Sequence, residues 1–173
     1  MIITIIVDTS GSMTVMAKNH IVSALINYCM DISEIDKERY ARVKFRFITA
    51  AGEEIRDPGN TGGYFKKGEN AGLSSLEKIF KTAGPNNMNF ILLSDGLFPP
   101  GEKDEFLKIA ENYPGLRLIS AAVGADADES ALREISCGNK VFRPGDIPSA
   151  VGFFLSEQGK CPDSIAAAGG GHG

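Results

Sequence analysis

The 173-residue sequence predicts an α/β protein with a doubly wound, mainly parallel, six-stranded sheet flanked by helices. Two apolar segments, Ile2–Val7 and Asn89–Ser94, lack polar alternation, which is typical of strands buried on both faces. Segments with helical spacing separate the strand-like segments, which favours right-handed β-α-β crossovers. The length fits one domain with a full core.

The first half of the chain contains three predicted strands. After the first strand, apolar side chains at helical spacing predict an amphipathic helix over residues 15–35. Residues 43–50 alternate apolar and basic side chains, which indicates a strand with one wetter face. Residues 53–55 follow a turn and predict a short partner strand. Residues 57–72 contain five glycines and predict a long loop.

The second half continues the alternation of helix and strand. The apolar spacing and the Gly/Pro breaks predict a helix over 73–81, a strand over 89–94, a helix over 102–112, a strand over 116–123, a helix over 129–135, a strand over 140–142 and a helix over 147–158. Periodicity then stops. We therefore expect a domain over residues 1–158 and a flexible Gly/Ala-rich tail over 159–173.

Oxygen-bearing side chains follow the first buried strand at every second position. Asp8, Ser10 and Ser12 can direct three oxygens at one point, with Gly11 allowing a tight turn. Oxygen ligands in near-octahedral geometry are what Mg²⁺ prefers. The alternative is a capped turn, in which Ser12 caps the next helix and the helix dipole favours Asp8.

A second carboxylate, Asp95, follows the buried strand over residues 89–94. Doubly wound sheets bind ligands outside the carboxyl ends of their strands, where the strand order reverses. If the strands that precede Asp8 and Asp95 are neighbours at this point, the two carboxylates converge. The sequence therefore predicts a divalent metal site that includes both.

These motifs resemble those of a known family. Asp8-Thr9-Ser10-Gly11-Ser12-Met13 matches the D-x-S-G-S-M signature of von Willebrand factor A (vWA) domains, and Ser94-Asp95-Gly96 resembles their later T-D-G element. The resemblance covers roughly residues 1–158. It implies Mg²⁺ or Mn²⁺ held by Asp8, Ser10, Ser12 and Asp95 in a metal-ion-dependent adhesion site. It further implies that this metal bridges to a carboxylate of a partner protein.

The third arm of the site departs from the family pattern. Many members carry a threonine in the loop before the next helix, whereas residues 68–72 here have no hydroxyl. Alignment on Gly72 places Glu69 at that position, and alignment on Leu76 places Asn70 there. Thr61 lies earlier in the same loop and can substitute if the loop folds back. The alternative is that Glu69 and Asn70 only solvate the loop.

Composition restricts partners and location. A net charge of −4, with no basic cluster longer than Lys66-Lys67, argues against nucleic acid or an anionic membrane as the partner. The sequence shows neither a signal-peptide pattern nor an apolar run of membrane-spanning length. Three widely spaced cysteines without a C-x-x-C motif fit free thiols in a reducing compartment. We expect a cytoplasmic protein, similar to the stand-alone bacterial vWA proteins found with tellurite-resistance and AAA+ ATPase systems.

Two other functions compete with a metal-dependent interaction module. A phosphatase of the HAD type also begins with an aspartate after a buried strand, but it needs a D-x-D pair, and Ser10 stands at the second position. The sequence contains no P-loop and no G-x-S-x-G elbow. We therefore expect no enzyme activity. The other alternative is a vWA scaffold that has lost metal binding.

Overall fold

The computed structural model describes residues 1–57, 63–65 and 71–156. The described strands are β1 (Ile2–Val7), β2 (Lys44–Thr49), β3 (Asn89–Ser94), β4 (Arg117–Ala122) and β5 (Val141–Phe142). The described helices are α1 (Lys18–Ile35), α2 (Lys37–Tyr40), α3 (Leu76–Ala83), α4 (Glu102–Ala110), α5 (Glu129–Glu134) and α6 (Ile147–Leu155). The predicted tail over residues 159–173 lies outside the described residues.

The strands form one sheet in the order β2-β1-β3-β4-β5, and every pairing between them is parallel. The chain leaves β1 in one direction to form β2 and then returns across β1 to form β3. The strand order therefore reverses between β1 and β3, which is where such sheets bind ligands. This arrangement confirms the predicted doubly wound fold. It also makes β1 and β3 neighbours, which is the condition on which the convergence of Asp8 and Asp95 depends.

The predicted sixth strand is reduced to a single bridge. Among the described residues the sheet has five strands, and Glu54 makes one antiparallel bridge to Ile48 of β2. Two backbone hydrogen bonds, Thr49 N to Glu53 O (2.8 Å) and Ile55 N to Phe47 O (2.9 Å), hold this hairpin. The Arg56 amide, which faces away from β2, donates to the Tyr64 hydroxyl (3.4 Å).

Alternating side chains of the sheet build two core layers. Ile5 and Val7 of β1, with Leu93 of β3, pack on the face covered by α1 and α6. Ile6 of β1 and Leu92 of β3 pack on the opposite face, which is covered by α3, α4 and α5. Residues of even number in β1 and β3 thus face one layer, and residues of odd number face the other.

The first helix begins three residues later than its apolar pattern predicts. Met16 and Ala17 have left-handed backbone conformations, with φ of 54° and 58°, and α1 starts at Lys18. Val15 and Met16 are exposed by 50% and 70%. The connection from β1 to α1 is therefore a turn. The apolar spacing of the helix continues into this turn, but the turn residues are not helical.

The cysteines differ in state. Cys29 lies in the core as a free thiol, and burial raises its pKa to about 12. Cys137 is disulfide-bonded, so the expectation of free thiols is wrong for this residue. Within the described part of the chain, none of the helices is both long and apolar enough to cross a membrane.

Replacing Ala17 by glycine tests the strain at the start of α1. A left-handed conformation costs a residue with a Cβ about 1–2 kcal/mol, and the extra freedom of glycine in the unfolded chain offsets part of this gain. We expect Ala17→Gly to raise the free energy of unfolding by about 0.5–1 kcal/mol in urea denaturation. The control is Ala24→Gly in the exposed middle of α1, which should lower that free energy by about 1 kcal/mol. Equal destabilisation by both variants would contradict the strain.

Candidate metal site

Asp8 is held at the carboxyl end of β1 and is 7% exposed. Its Oδ1 accepts a hydrogen bond from the Ser10 amide (2.8 Å), and its Oδ2 accepts one from the Ser94 hydroxyl (2.6 Å). Burial raises the pKa of Asp8 above its usual value, although the hydrogen bonds from Ser94 and Ser10 oppose this. The Asp8 carboxylate is thus fixed by two neutral donors, a backbone amide and a hydroxyl.

Ser10 and Ser12 place their hydroxyl oxygens side by side. The two Oγ atoms are 3.1 Å apart, in the tight turn that follows Asp8. Neighbouring ligands of an octahedral Mg²⁺ lie about 3.0 Å apart when each metal–oxygen bond is about 2.1 Å. The hydroxyl spacing therefore fits two adjacent positions around such an ion. The three residues that the sequence predicted here are brought together.

A cavity of 290 Å³ opens beside these residues. Its polar lining residues are Asp8, Ser10, Ser12 and Glu102. Its walls are mainly apolar and come from the ends of β2 and β3, the start of α3 and the loop after Asp95, through Ala50, Leu73, Leu76, Leu92, Leu97, Phe98 and Pro99. The arrangement joins a small oxygen-rich centre to a surface able to receive an apolar group.

Glu102 is a cavity residue that the sequence reasoning missed. It is the first residue of α4, and its Oε1 accepts a hydrogen bond from the Leu73 amide (2.8 Å). A Cβ on Gly72 would overlap the Glu102 carboxylate, so this approach requires glycine at position 72. Burial raises the pKa of Glu102, and the charge of Asp8 raises it further. The sequence marks Glu102 only as a helix start, because the contact links segments 29 residues apart.

Asp95 is fully buried but does not line the cavity. Ser94 and Asp95 point to opposite faces of the sheet, so Ser94 accompanies Asp8 and Asp95 faces α1. Asp95 Oδ1 accepts a hydrogen bond from the Leu97 amide (3.1 Å), and its Oδ2 contacts Lys18 Nζ (2.7 Å). Asp95 thus has Lys18 and the Leu97 amide as partners, and its assignment as a metal ligand stays a prediction.

Lys18 is a second residue that the sequence reasoning missed. Its side chain is fully buried, and its Nζ contacts both Asp95 Oδ2 (2.7 Å) and Asp126 Oδ2 (2.8 Å). Burial acts to lower the pKa of Lys18, but hydrogen bonds to Asp126 and Asp95 outweigh it and raise this pKa. The hydrogen bond from Lys18 in turn lowers the pKa of Asp126. Lys18 therefore carries a charged ammonium that is buried beside the C-terminal end of β3.

The remaining candidates lie elsewhere in the sequence. Thr61, Glu69 and Asn70 are outside the described residues. Within the described ranges, no group of three or more His, Cys, Asp or Glu side chains could hold a metal ion. The set formed by Asp8, Ser10 and Ser12 is of a different kind, since two of its three oxygens are hydroxyls. Its chemistry suits a hard cation that keeps several waters.

Comparison with solved structures finds similar folds. The chain matches the manganese-loaded TRAP protein of Plasmodium vivax with a TM-score of 0.51 and 13% identity, over 87% of this chain and 71% of that one. It matches an aerotolerance-related membrane protein of Bacteroides fragilis with a TM-score of 0.53 and 14% identity, over 87% and 96%. It matches the protein BatB of Bacteroides thetaiotaomicron with a TM-score of 0.52 and 14% identity, over 89% and 98%.

Comparisons by sequence give no match. No protein-family model matches the chain. No curated protein matches it either. The structural likenesses extend over most of this chain at low identity, so what they show is the fold. The chain has a vWA-like α/β fold with a parallel sheet flanked by helices.

Asp8 should make stability depend on pH when no metal is present. Because its pKa is raised on folding, its contribution is fully present below its usual pKa of 3.8 and is lost as the pH rises through the raised value. We expect urea denaturation in EDTA to show this loss in the wild type and not in Asp8→Asn. The control is Asp31→Asn, an exposed position on α1, which should keep the wild-type pH dependence. A wild-type profile in Asp8→Asn would contradict the assignment.

Proposed function

We propose that this protein is a divalent-metal-dependent protein interaction module. In this proposal Asp8, Ser10 and Ser12 hold Mg²⁺ or Mn²⁺, and the ion binds a carboxylate of a partner protein. The observation that carries the proposal is the 3.1 Å spacing of the two serine hydroxyls beside the buried Asp8 carboxylate. The likeness in fold to a manganese-loaded protein supports it.

The donor set explains why such an ion would seek a partner. Two of its three protein ligands are neutral hydroxyls, so Asp8 alone among them supplies a negative charge. A divalent ion held in this way keeps excess positive charge and open coordination positions, which an external carboxylate can fill. The ion then serves as a bridge between two proteins, and no bond need be made or broken.

Chemistry and family resemblance together suggest the kind of partner. An acidic side chain is the group that the bound ion would select. The resemblance to stand-alone bacterial vWA proteins suggests a partner from an AAA+ ATPase or a tellurite-resistance system. The cytoplasmic location that it implies stays a prediction, which the disulfide at Cys137 does not support. The same chemistry gives no reason to expect nucleic acid or a membrane as the partner, in agreement with the net charge of −4.

A phosphatase is the second candidate, because Glu102 places another carboxyl group in the cavity with Asp8. A carboxylate nucleophile needs a nearby acid to protonate the leaving group. Glu102 Oε1 is engaged by the Leu73 amide, and Asp8 accepts hydrogen bonds on both oxygens. These contacts favour a binding role for the pair.

Removing the Asp8 carboxylate should abolish metal binding. Loss of an outer-shell partner typically costs roughly 10–100-fold in metal affinity, and loss of the charged ligand should cost more. We therefore expect no Mg²⁺ or Mn²⁺ binding by Asp8→Ala in isothermal titration calorimetry, with the fold retained by circular dichroism.

The matched control for this experiment is Asp31→Ala on the exposed surface of α1, which removes the same charge away from the cavity. It should bind metal as the wild type does. Ser12→Ala should weaken binding without abolishing it, because one neutral ligand is lost and water can replace it. Wild-type affinity in Asp8→Ala would refute the site.

The phosphatase alternative predicts turnover that depends on Asp8. We expect the wild type with Mg²⁺ to hydrolyse p-nitrophenyl phosphate no faster than Asp8→Ala or Glu102→Gln. The absorbance of released p-nitrophenol measures the rate. A rate that falls in both variants and stays unchanged in Asp31→Ala would reverse the order of the two proposals.

A further inference from the structure

We propose that Lys18 is an internal counter-cation that engages Asp95 and so weakens the hold of the site on its divalent ion. The inference rests on the proposed metal-binding function and concerns which charges the ion experiences. In this arrangement the ammonium of Lys18 takes the negative charge of Asp95. Of the two buried carboxylates that follow β1 and β3, Asp8 is then the one whose charge is left for the divalent ion, and the ion's demand for an external carboxylate increases.

The first support is the geometry of the ion pair. The Lys18 side chain is fully buried, and its Nζ lies 2.7 Å from Asp95 and 2.8 Å from Asp126. These residues come from the start of α1, the end of β3 and the loop after β4. An ammonium that is withdrawn from water and held by two carboxylates has a defined position, unlike an exposed surface pair.

The second support is the space around the side chain. Gly124 has φ of 97°, and a Cβ built on it would lie 2.6 Å from Lys18 Cε and 2.7 Å from Asp126 Oδ1. Glycine at position 124 therefore gives both the backbone conformation and the room that the lysine needs. The space that the Lys18 side chain occupies exists because position 124 has no side chain.

The third support is the connection from the serine turn to Lys18. The Val15 amide donates to Ser12 O (3.4 Å), and the Lys18 amide donates to Val15 O (3.2 Å). Between them Met16 and Ala17 adopt left-handed conformations that residues with a Cβ rarely take. A strained and hydrogen-bonded turn thus joins the proposed ligand Ser12 to the lysine that engages Asp95.

The charge of Lys18 should lower the affinity of the site for a divalent ion. A positive ammonium beside the carboxyl edge repels a divalent ion, and this interaction is stronger in a partly buried site than in water. With Lys18 present, one ammonium is shared by Asp95 and Asp126, and the three groups together carry one net negative charge instead of two. Replacing Lys18 by methionine, which has a similar length and no charge, leaves Asp95 as an additional buried carboxylate that the ion can neutralise.

The experiment measures Mg²⁺ affinity by calorimetry in four proteins besides the wild type: Lys18→Met, Asp95→Asn, the Lys18→Met/Asp95→Asn double variant, and Lys81→Met. Lys81 is exposed and pairs with Glu77 on α3, so its variant makes the same charge change elsewhere. We expect Lys18→Met to bind Mg²⁺ at least about tenfold more tightly than the wild type. The double variant should lie within about threefold of the wild type, and Lys81→Met within about twofold.

A second comparison covers the case in which Lys18→Met fails to fold, since it leaves Asp95 buried without its cation. The double variant removes both charges of that pair. We expect Asp95→Asn, which retains the ammonium, to bind Mg²⁺ more weakly than the double variant. Equal affinities in these two proteins would overturn the inference, as would equal or weaker binding by a folded Lys18→Met.

The outcomes separate this inference from the function on which it rests. If the wild type binds Mg²⁺ and removal of Lys18 changes nothing, the lysine is structural and the interaction module stands. If the wild type fails to bind while Lys18→Met binds, the inference stands in its strongest form and the proposed function is overturned. If neither protein binds, both are overturned.

Discussion

The structure at the C-terminal ends of the strands, called here the carboxyl edge of the sheet, depends on two buried carboxylates facing opposite sides of the sheet. Asp8 and Asp95 end neighbouring parallel strands, and each is nearly or fully removed from water. A buried charge is costly unless it is paired or hydrogen-bonded, so each needs partners of its own. Side chains alternate along a strand. Asp8 therefore faces the layer of α3 and α4, whereas Asp95 faces α1.

The two carboxylates have different kinds of partner: the partners of Asp8 are neutral, whereas Asp95 is paired with a cation. Asp8 is satisfied by a backbone amide and the Ser94 hydroxyl, which leave its negative charge in place. Asp95 is paired with the Lys18 ammonium, which it shares with Asp126, so its negative charge is compensated in large part. One face can thus accept a cation, and the other already contains one. This asymmetry is the physical basis of both proposals, because the proposed ion is then neutralised by few protein charges.

The sequence predicted the parts of this arrangement that depend on local pattern. The apolar strands and the grouping of Asp8 with Ser10 and Ser12 follow from periodicity and residue spacing. The adjacency of β1 and β3 does not follow from local pattern, and the sequence offered it only as a condition. The expected convergence of Asp95 on this group rests on strand ends meeting at one end of the sheet. The alternation that brings Ser94 to Asp8 and Asp95 to Lys18 is not part of that argument, and a metal-ligand role for Asp95 stays a prediction. Contacts across long stretches of chain, such as Lys18 with Asp126 over 108 residues, leave no local signal. The left-handed turn before α1 has none either, since Met16 and Ala17 are ordinary helix residues.

The concentration of unfavourable features at this edge argues against a passive scaffold. Three non-glycine residues in the described chain have positive φ, and two of them, Met16 and Ala17, come just before Lys18. Asp8 is buried at the cost of a raised pKa, and Lys18 is a fully buried cation. A scaffold needs none of these, since apolar side chains of similar volume commonly stabilise a core as well as a buried ion pair does. Local rules are typically broken where function requires it, and the rest of the sheet is regular. These costs therefore favour a site that works through charge over a vWA-like fold retained only for its shape.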